Sequence, residues 1–157
     1  MDAIAAESGV SKATVYKHWS GKDELLLEVI ATMQDHVPEF DSGDPKQDMV
    51  QLIRHLARSR KRQELGRIWV QVISYAITNP EFGRALQRHS FAPRRAQIEK
   101  ILDRAIAKKQ LRKEVDIEIA LDLLIGPMMR RRFLEENVPD GWAELVVGYF
   151  WEIFRRP

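Results

Sequence analysis

The chain has 157 residues, 25 Lys and Arg against 23 Asp and Glu, and no cysteine. That length can bury a real core and hold one sizeable domain plus a small one, while a net charge of +2 is too small to mark the whole chain as a nucleic-acid binder. The lack of cysteine excludes disulfides and thiolate metal sites; no apolar run approaches the ~20 residues of a membrane span and no signal-peptide pattern is visible, so a cytoplasmic location is expected and no membrane partner.

Ile4-Ala5-Ala6 opens a first helix, and the small Ala5 lets a second helix cross close by. Gly9 falls where that helix must stop and the chain must turn, a position that favours φ > 0 and therefore glycine. Val10 plugs the turn. Ser11 is a good N-cap, its oxygen free to accept an orphan backbone N–H. Val15 and Trp19, four apart, share a face and are expected to point into a small core. Lys12, Ala13, Thr14, Tyr16, Lys17 and His18 are left outside. Ser20 to Asp23 reads as a capping box opening a third helix, with Leu25, Leu26, Val29, Ile30 and Met33 at helical spacing.

Local charge supports a purpose for this stretch. Residues 11 to 22 contain Lys12, Lys17 and Lys22 and no Asp or Glu, whereas Asp2, Glu7, Asp23, Glu24 and Glu28 flank them. A basic island on a mixed chain is the footprint of phosphate contact. A helix that is polar, basic and aromatic on one side is what the DNA major groove accepts. Three lysines alone would equally suit a solvated face; the Ala–Gly–Val–Val spacing and the two caps favour DNA.

The rest reads as helices throughout, with no alternating strand pattern and no internal repeat. Residues 36 to 45 form a Pro/Gly/Asp loop and a plausible domain joint. From about 46 to 62, Met49, Leu52, Ile53, Leu56 and Ala57 share one face and Arg54, Arg58, Arg60, Lys61 and Arg62 the other. From about 64 to 78, Leu65, Ile68, Trp69, Val72, Ile73 and Ala76 are expected inward. Pro80 sits at a favoured first-turn position of the next segment. A long helical stretch from about 81 to 109 is interrupted at Ala92-Pro93, where a kink or break is expected. Its second part (Ile98, Ile101, Leu102, Ala105, Ile106) is amphipathic. Asp116 caps the next helix, which runs to about Asn137, and a last helix spans about 142 to 155.

The last two helices are informative. Between Trp142 and Phe154 only Glu144 and Glu152 are charged. A helix apolar nearly all round wants burial on more than one side. Pairing the last two helices with their copies gives a four-helix, two-fold interface, with Leu121, Leu124, Met128, Trp142, Val146, Tyr149, Phe150 and Ile153 as candidates. The bland alternative is that these residues fill the chain's own core. Within the penultimate helix, Gly126-Pro127 weakens one turn; it is either a packing kink or an opening for a ligand beside flexible methionines. Arg130, Arg131 and Arg132 read as a solvated face paired with Glu135 and Glu136.

The string Ile4-Ala5, Gly9-Val10-Ser11-Lys12, Thr14-Val15-Tyr16, His18-Trp19, Lys22 and Leu25 resembles the helix-turn-helix of TetR/AcrR-type transcriptional regulators. Lac-repressor-type modules share Gly-Val-Ser-x-x-Thr-Val but lack the following Tyr-x-His-aromatic and Lys-x-x-Leu. Ser8 and Trp19 replace more usual residues without disturbing the logic. The resemblance implies an all-α fold: a helix-turn-helix module over residues 1–36, then a TetR-like helical effector-binding and dimerisation domain over residues 45–157. It implies that Lys12, Ala13, Thr14 and Lys17 approach bases or phosphates, that Tyr16, His18 and Lys22 mainly grip the backbone, and that Ser11 opens the reading helix. Gly126-Pro127 and Phe91-Ala-Pro-Arg-Arg95 resemble one C-terminal subtype. The family pattern starts with another helix, so the module is incomplete as given. Met1 is then expected to be an internal methionine of a chain extending roughly 30–40 residues upstream, one helix plus an arm.

The partners implied are a double-stranded, palindromic DNA operator, a second copy of the chain, and a small-molecule effector of apolar or aromatic character. By resemblance a pocket lies within the helical domain; Met49, Ile53, Trp69, Ile73, Phe82, Leu86, Ile125, Met129 and Phe133 are candidates to line it, with plain core packing as the alternative for each. Two half-sites one DNA turn apart match a dimer with recognition helices roughly 34–36 Å apart. No cofactor or metal is expected, since His18, His36, His55 and His89 are scattered. No nucleophile elbow, phosphate loop or His-Glu-x-x-His is present, so an enzyme is not expected. Two readings stand: a ligand-responsive repressor acting as a homodimer, and an all-helical dimeric small-molecule-binding protein without DNA-binding activity.

Overall fold

The computed structural model describes residues 1–32, 36–58, 66–134 and 137–156, without the side chains of residues 66, 67, 132 and 133. The sequence expectations for Met33, residues 59–65 and the Glu135 and Glu136 pairings lie outside the described residues. The described part is all α: α1 (Asp2–Ser8), α2 (Lys12–His18), α3 (Lys22–Thr32), α4 (Pro45–Arg58), α5 (Gly66–Thr78), α6 (Pro80–Leu86), a π-helical turn (Gln87–Phe91), α7 (Ala92–Ala107), α8 (Ile117–Phe133) and α9 (Trp142–Phe154).

Local chemistry explains the boundaries. Gly9 turns the chain with φ 69°, and Ser11 accepts the Thr14 N–H at 3.1 Å to start α2. At α3 the cap differs from the capping box expected of Asp23. The Ser20 N–H and Oγ both donate to Glu24 at 2.8 Å, one residue further on, and Asp23 is engaged elsewhere. Asp116 accepts from the N–H groups of Glu118 and Ile119 at 2.8 and 3.2 Å, capping α8. The interruption expected at Ala92-Pro93 is a π-turn. Pro93 has no N–H to donate, and the Ala92 N–H reaches back to the Gln87 carbonyl, widening the last turn before α7.

Helices α5 and α6 form a hairpin around Asn79-Pro80, and Gly83 is what allows their closeness: a Cβ there would lie 2.9 Å from the Ala76 carbonyl oxygen. Two apolar cores result. The larger joins α4, α7, α8 and α9, with Met49, Leu52, Ile53, Leu56, Ile98, Leu124 and Val147 fully buried. The smaller joins Ile30 of α3 to Trp69 and Val72 of α5 and Phe82 and Leu86 of α6, with Leu26 and Leu27 packed against it. Ile68 and Val29, expected inward, are about two-fifths exposed. Both lie beside rather than on the stripes that Trp69–Val72 and Ile30 turn to the core.

Residues 37–43 are docked along α7. Gln97 donates to the Val37 carbonyl at 3.3 Å and Lys100 pairs with Glu39 at 3.1 Å. Arg104 donates to the Phe40 carbonyl at 2.6 Å, and it pairs with Asp41 at 2.6 Å and with buried Asp48 at 2.9 Å. Lys108 donates to the Gly43 carbonyl. At the far end, the Arg112 N–H donates to the Phe154 carbonyl at 2.9 Å, tying the end of α9 to the turn after α7.

Candidate DNA interface and effector cavity

Helix α2 turns outward the side chains expected to meet DNA. Val15 is buried beneath it at 2% exposure, whereas Ser11, Lys12, Ala13, Thr14, Tyr16, Lys17 and His18 are all exposed. The inward role expected of Trp19 is only half met. The indole is half-buried and its N–H donates to Glu28 on α3 at 2.7 Å, bracing α2 against α3 instead of filling a core. Lys12 forms a solvent-exposed ion pair with Asp2 at 3.0 Å, a contact of little energy that a phosphate can replace. Lys22 is exposed, and its ammonium lies 4.6 Å from the centre of the Tyr75 ring on α5. Hydrogen bonding to Tyr75 raises the Lys22 pKa above its ordinary value, so this lysine is cationic at neutral pH.

A cleft of about 400 Å³ opens between α4, α5, the π-turn, α7 and α8. Its apolar floor comprises Leu56, Trp69, Phe91, Ile98, Leu121, Ile125, Met128 and Met129, and its polar rim Gln87, Arg94, Arg95, Glu118 and Asp122. Trp69 and Phe91 stack with ring centres 5.9 Å apart. Arg95 donates to both Glu99 and Glu118, linking α7 to α8 at the rim; the hydrogen bond to Glu118, then that to Glu99, pushes its pKa further up.

Of the pocket residues expected from sequence, Trp69, Ile125 and Met129 line this cleft. Met49 and Ile53 do not: they point into the large core, and only Leu56, about one turn on, reaches the cleft. Phe82, Leu86 and Ile73 pack in or against the smaller core toward α3. The Phe133 side chain lies outside the described residues. Sequence reasoning missed Arg94, Arg95, Gln87 and Phe91 as lining residues, although the resemblance to a C-terminal subtype rests on Phe91-Ala-Pro-Arg-Arg95 and Gly126-Pro127. Gly126 borders the cleft, and a Cβ there would meet nothing within 4 Å.

The dimer candidates divide in the same way. Leu124, Met128, Trp142 and Phe150 are buried in the chain's own core, so they cannot form an external surface. Leu121 and Val146 are half-buried, and Leu121 and Met128 also line the cleft. Tyr149 and Ile153 are exposed at 68% and 54%, and Leu145, one turn earlier on the same stripe of α9, at 58%. Ile119 and Leu123 on α8 are 48% and 38% exposed. Among the described residues no group of three His, Asp or Glu converges as a metal site, and no helix is long and apolar enough to cross a membrane.

A capped two-helix reading unit with outward lysines, joined to a helical body with an apolar cleft, defines a helix-turn-helix regulator. Residues 39–149 match the family described as Tetracyclin repressor-like, C-terminal domain, and residues 1–29 match Bacterial regulatory proteins, tetR family. The chain belongs to the TetR family of bacterial transcriptional regulators; it is not an enzyme. It is 33% identical over 153 residues to the uncharacterized HTH-type transcriptional regulator YdeS of Bacillus subtilis, a match spanning 96% of this chain and 77% of that protein. It is 26% identical to the DNA-binding transcriptional repressor TetR of Mycobacteroides abscessus, over 100% of this chain and 83% of that one. The crystal structure of the TetR family transcription regulator SCO0332 superposes with a TM-score of 0.69 at 28% identity, covering 96% of this chain and 84% of the other.

Proposed function

We propose that this chain is a ligand-responsive transcriptional repressor that binds a palindromic operator as a homodimer, in the cytoplasm, and releases it when a small apolar or aromatic effector fills the cleft. One observation carries the reading: Trp69 belongs both to the cleft floor and to the core that holds α3. A ligand stacked there acts on the helix that follows the DNA-reading α2. Occupancy then shifts the population between DNA-competent and DNA-incompetent arrangements by the difference in affinity for the two. The reading of Lys12, Ala13, Thr14 and Lys17 toward bases and phosphates, with Tyr16, His18 and Lys22 on the backbone, is supported by their exposure on one module.

The dimer is supported by the apolar stripes of α8 and α9. Ile119, Leu123, Leu145, Tyr149 and Ile153 are large, apolar and uncovered, and a two-fold contact covers them with their own copies. The boundary between the two functional parts falls in residues 36–45, the arm docked on α7.

The test is a titration against the intergenic DNA upstream of the chain's own gene. The account expects tight, salt-sensitive binding to a palindrome, weakened at least tenfold by Lys12→Ala or Tyr16→Ala. Unchanged binding by both variants would remove the assignment of α2, and a monomer at micromolar concentration would remove the two-half-site mechanism. Competence for a small ligand but no DNA binding would favour the alternative of a dimeric binding protein.

A further inference from the structure

Beside the smaller apolar core, the helical body meets the DNA-binding module through a compact polar contact. The Tyr75 hydroxyl donates a 2.8 Å hydrogen bond to Asp23 Oδ1 in the first turn of α3. The ring of the same tyrosine carries the Lys22 ammonium 4.6 Å from its centre. Two successive residues of α3 are thus held by a single side chain. That side chain is itself fixed, because Phe82 packs edge-on against its ring with centres 5.0 Å apart. Asp23 is free to accept because Glu24 has taken over the cap of Ser20.

Only Trp19, Ser20 and Gly21 separate α2 from α3, and the Trp19 indole is tied back to Glu28. The attitude of the first turn of α3 therefore sets where α2 points. Tyr75 lies six residues after Trp69 on α5, so one rigid helix carries both the cleft floor and this contact, about 9 Å apart along its axis.

We propose that Tyr75 is a positioning residue for DNA reading: its hydroxyl and ring hold Asp23 and Lys22 so that α2 keeps one fixed attitude to the helical body. Positioning matters when two modules must meet two half-sites at once. It matters little for sequence-independent contact, which each module makes in any attitude. The proposal rests on the two-half-site reading above.

The test compares two fluorescein-labelled duplexes by anisotropy over a salt series: a palindrome enriched by the wild-type chain from a random library, and a random-sequence duplex of equal length. Tyr75→Phe keeps the ring and its packing and removes only the hydroxyl; Asp23→Asn removes the charged acceptor. Each should weaken palindrome binding about tenfold, change random-duplex binding less than about twofold, and leave the salt slope unaltered, because Lys22 remains. The double variant should be no weaker than either single one, since both remove the same bond. Lys22→Met should instead lower the salt slope by about 1 on both duplexes. Wild-type palindrome affinity in Tyr75→Phe, equal losses on both duplexes, or additive losses in the double variant would each overturn the proposal. A wild-type chain that does not prefer the palindrome removes the two-half-site reading and this proposal with it, whereas unchanged Tyr75→Phe binding removes this proposal alone.

Discussion

At the scale of single residues, sites without slack decide the outcome of substitution. Gly83 is one: its missing Cβ would stand 2.9 Å from the backbone oxygen of Ala76, and backbone cannot swing aside as a side chain can. Gly83→Ala is expected to cost about 1–3 kcal/mol in urea unfolding, the usual penalty of overpacking. Gly126 is the contrast, with open space where its Cβ would be. Gly126→Ala should be neutral or gain up to about 1 kcal/mol from helix propensity. Asp48 is 2% exposed and relies on Arg104 at 2.9 Å. Arg104→Met leaves that carboxylate buried without its charge partner, for an expected loss of about 3 kcal/mol, although the Ser42 N–H and hydroxyl still donate to it at 2.9 and 2.6 Å. Gly9, Ser11 and Val15 were legible from sequence because each obeys a local rule: positive φ, a cap three residues before its donor, an apolar residue on the inward face; Val10, expected to plug the turn, is instead 42% exposed. Asp23 was not. Its partner Tyr75 is 52 residues away, and no local rule signals a choice between Glu24 and Asp23 as the cap.

At the scale of elements, periodicity located α4 and α7 and their inward faces, because each has one continuous apolar stripe, whereas for α9, apolar nearly all round, it showed the extent but not the inward face. It could not say which neighbour a stripe faces. Met49 and Ile53 satisfy a pocket pattern and a core pattern equally, and only the packing of α4 against α7 and α9 separates them. The break at Ala92-Pro93 was foreseen from the proline, while its form as a π-turn depends on how the last turn before α7 accommodates the missing N–H. The docked arm was invisible, since it depends on Gln97, Lys100, Arg104 and Lys108 aligning along one face of α7. Helix starts also set the acid limit. Hydrogen bonds from Ser20 hold the Glu24 carboxyl below its ordinary pKa. The backbone N–H of Glu144 itself, then Arg54, does the same for Glu144. A carboxyl lowered on folding adds stability above its unfolded pKa and loses it as the pH falls through the folded value. Thermal melts should therefore drop as the pH is taken below about 4.3, and Glu24→Gln with Glu144→Gln should be less stable at neutral pH and flatter along that limb. Equal acid limbs in the variant and the parent would contradict this assignment.

At the scale of the whole molecule, three features form one chain of contact: a cleft with Trp69 in its floor, a small core through which α5 holds α3, and a reading helix three residues before α3. In the proposed homodimer the exposed stripes of α8 and α9 are the surface that brings two modules together. A polar substitution there, Tyr149→Glu with Ile153→Glu, should leave the far-ultraviolet spectrum intact and shift the chain to monomer in sedimentation; a dimer that survives both charges would place the interface elsewhere. Sequence indicated that the last helix needed cover on two sides, but not which residues the chain covers itself. Trp142 and Phe150 proved internal, and Leu145, Ile119 and Leu123 external. The most direct measurement is the stoichiometry and affinity of the chain on a palindromic duplex against the same duplex with one half-site scrambled. The account predicts two chains per palindrome and a loss of at least about 100-fold when one half-site is scrambled, since each mismatched base pair costs about 1–3 kcal/mol. One chain per duplex, with equal affinity for the intact and scrambled sites, would contradict it.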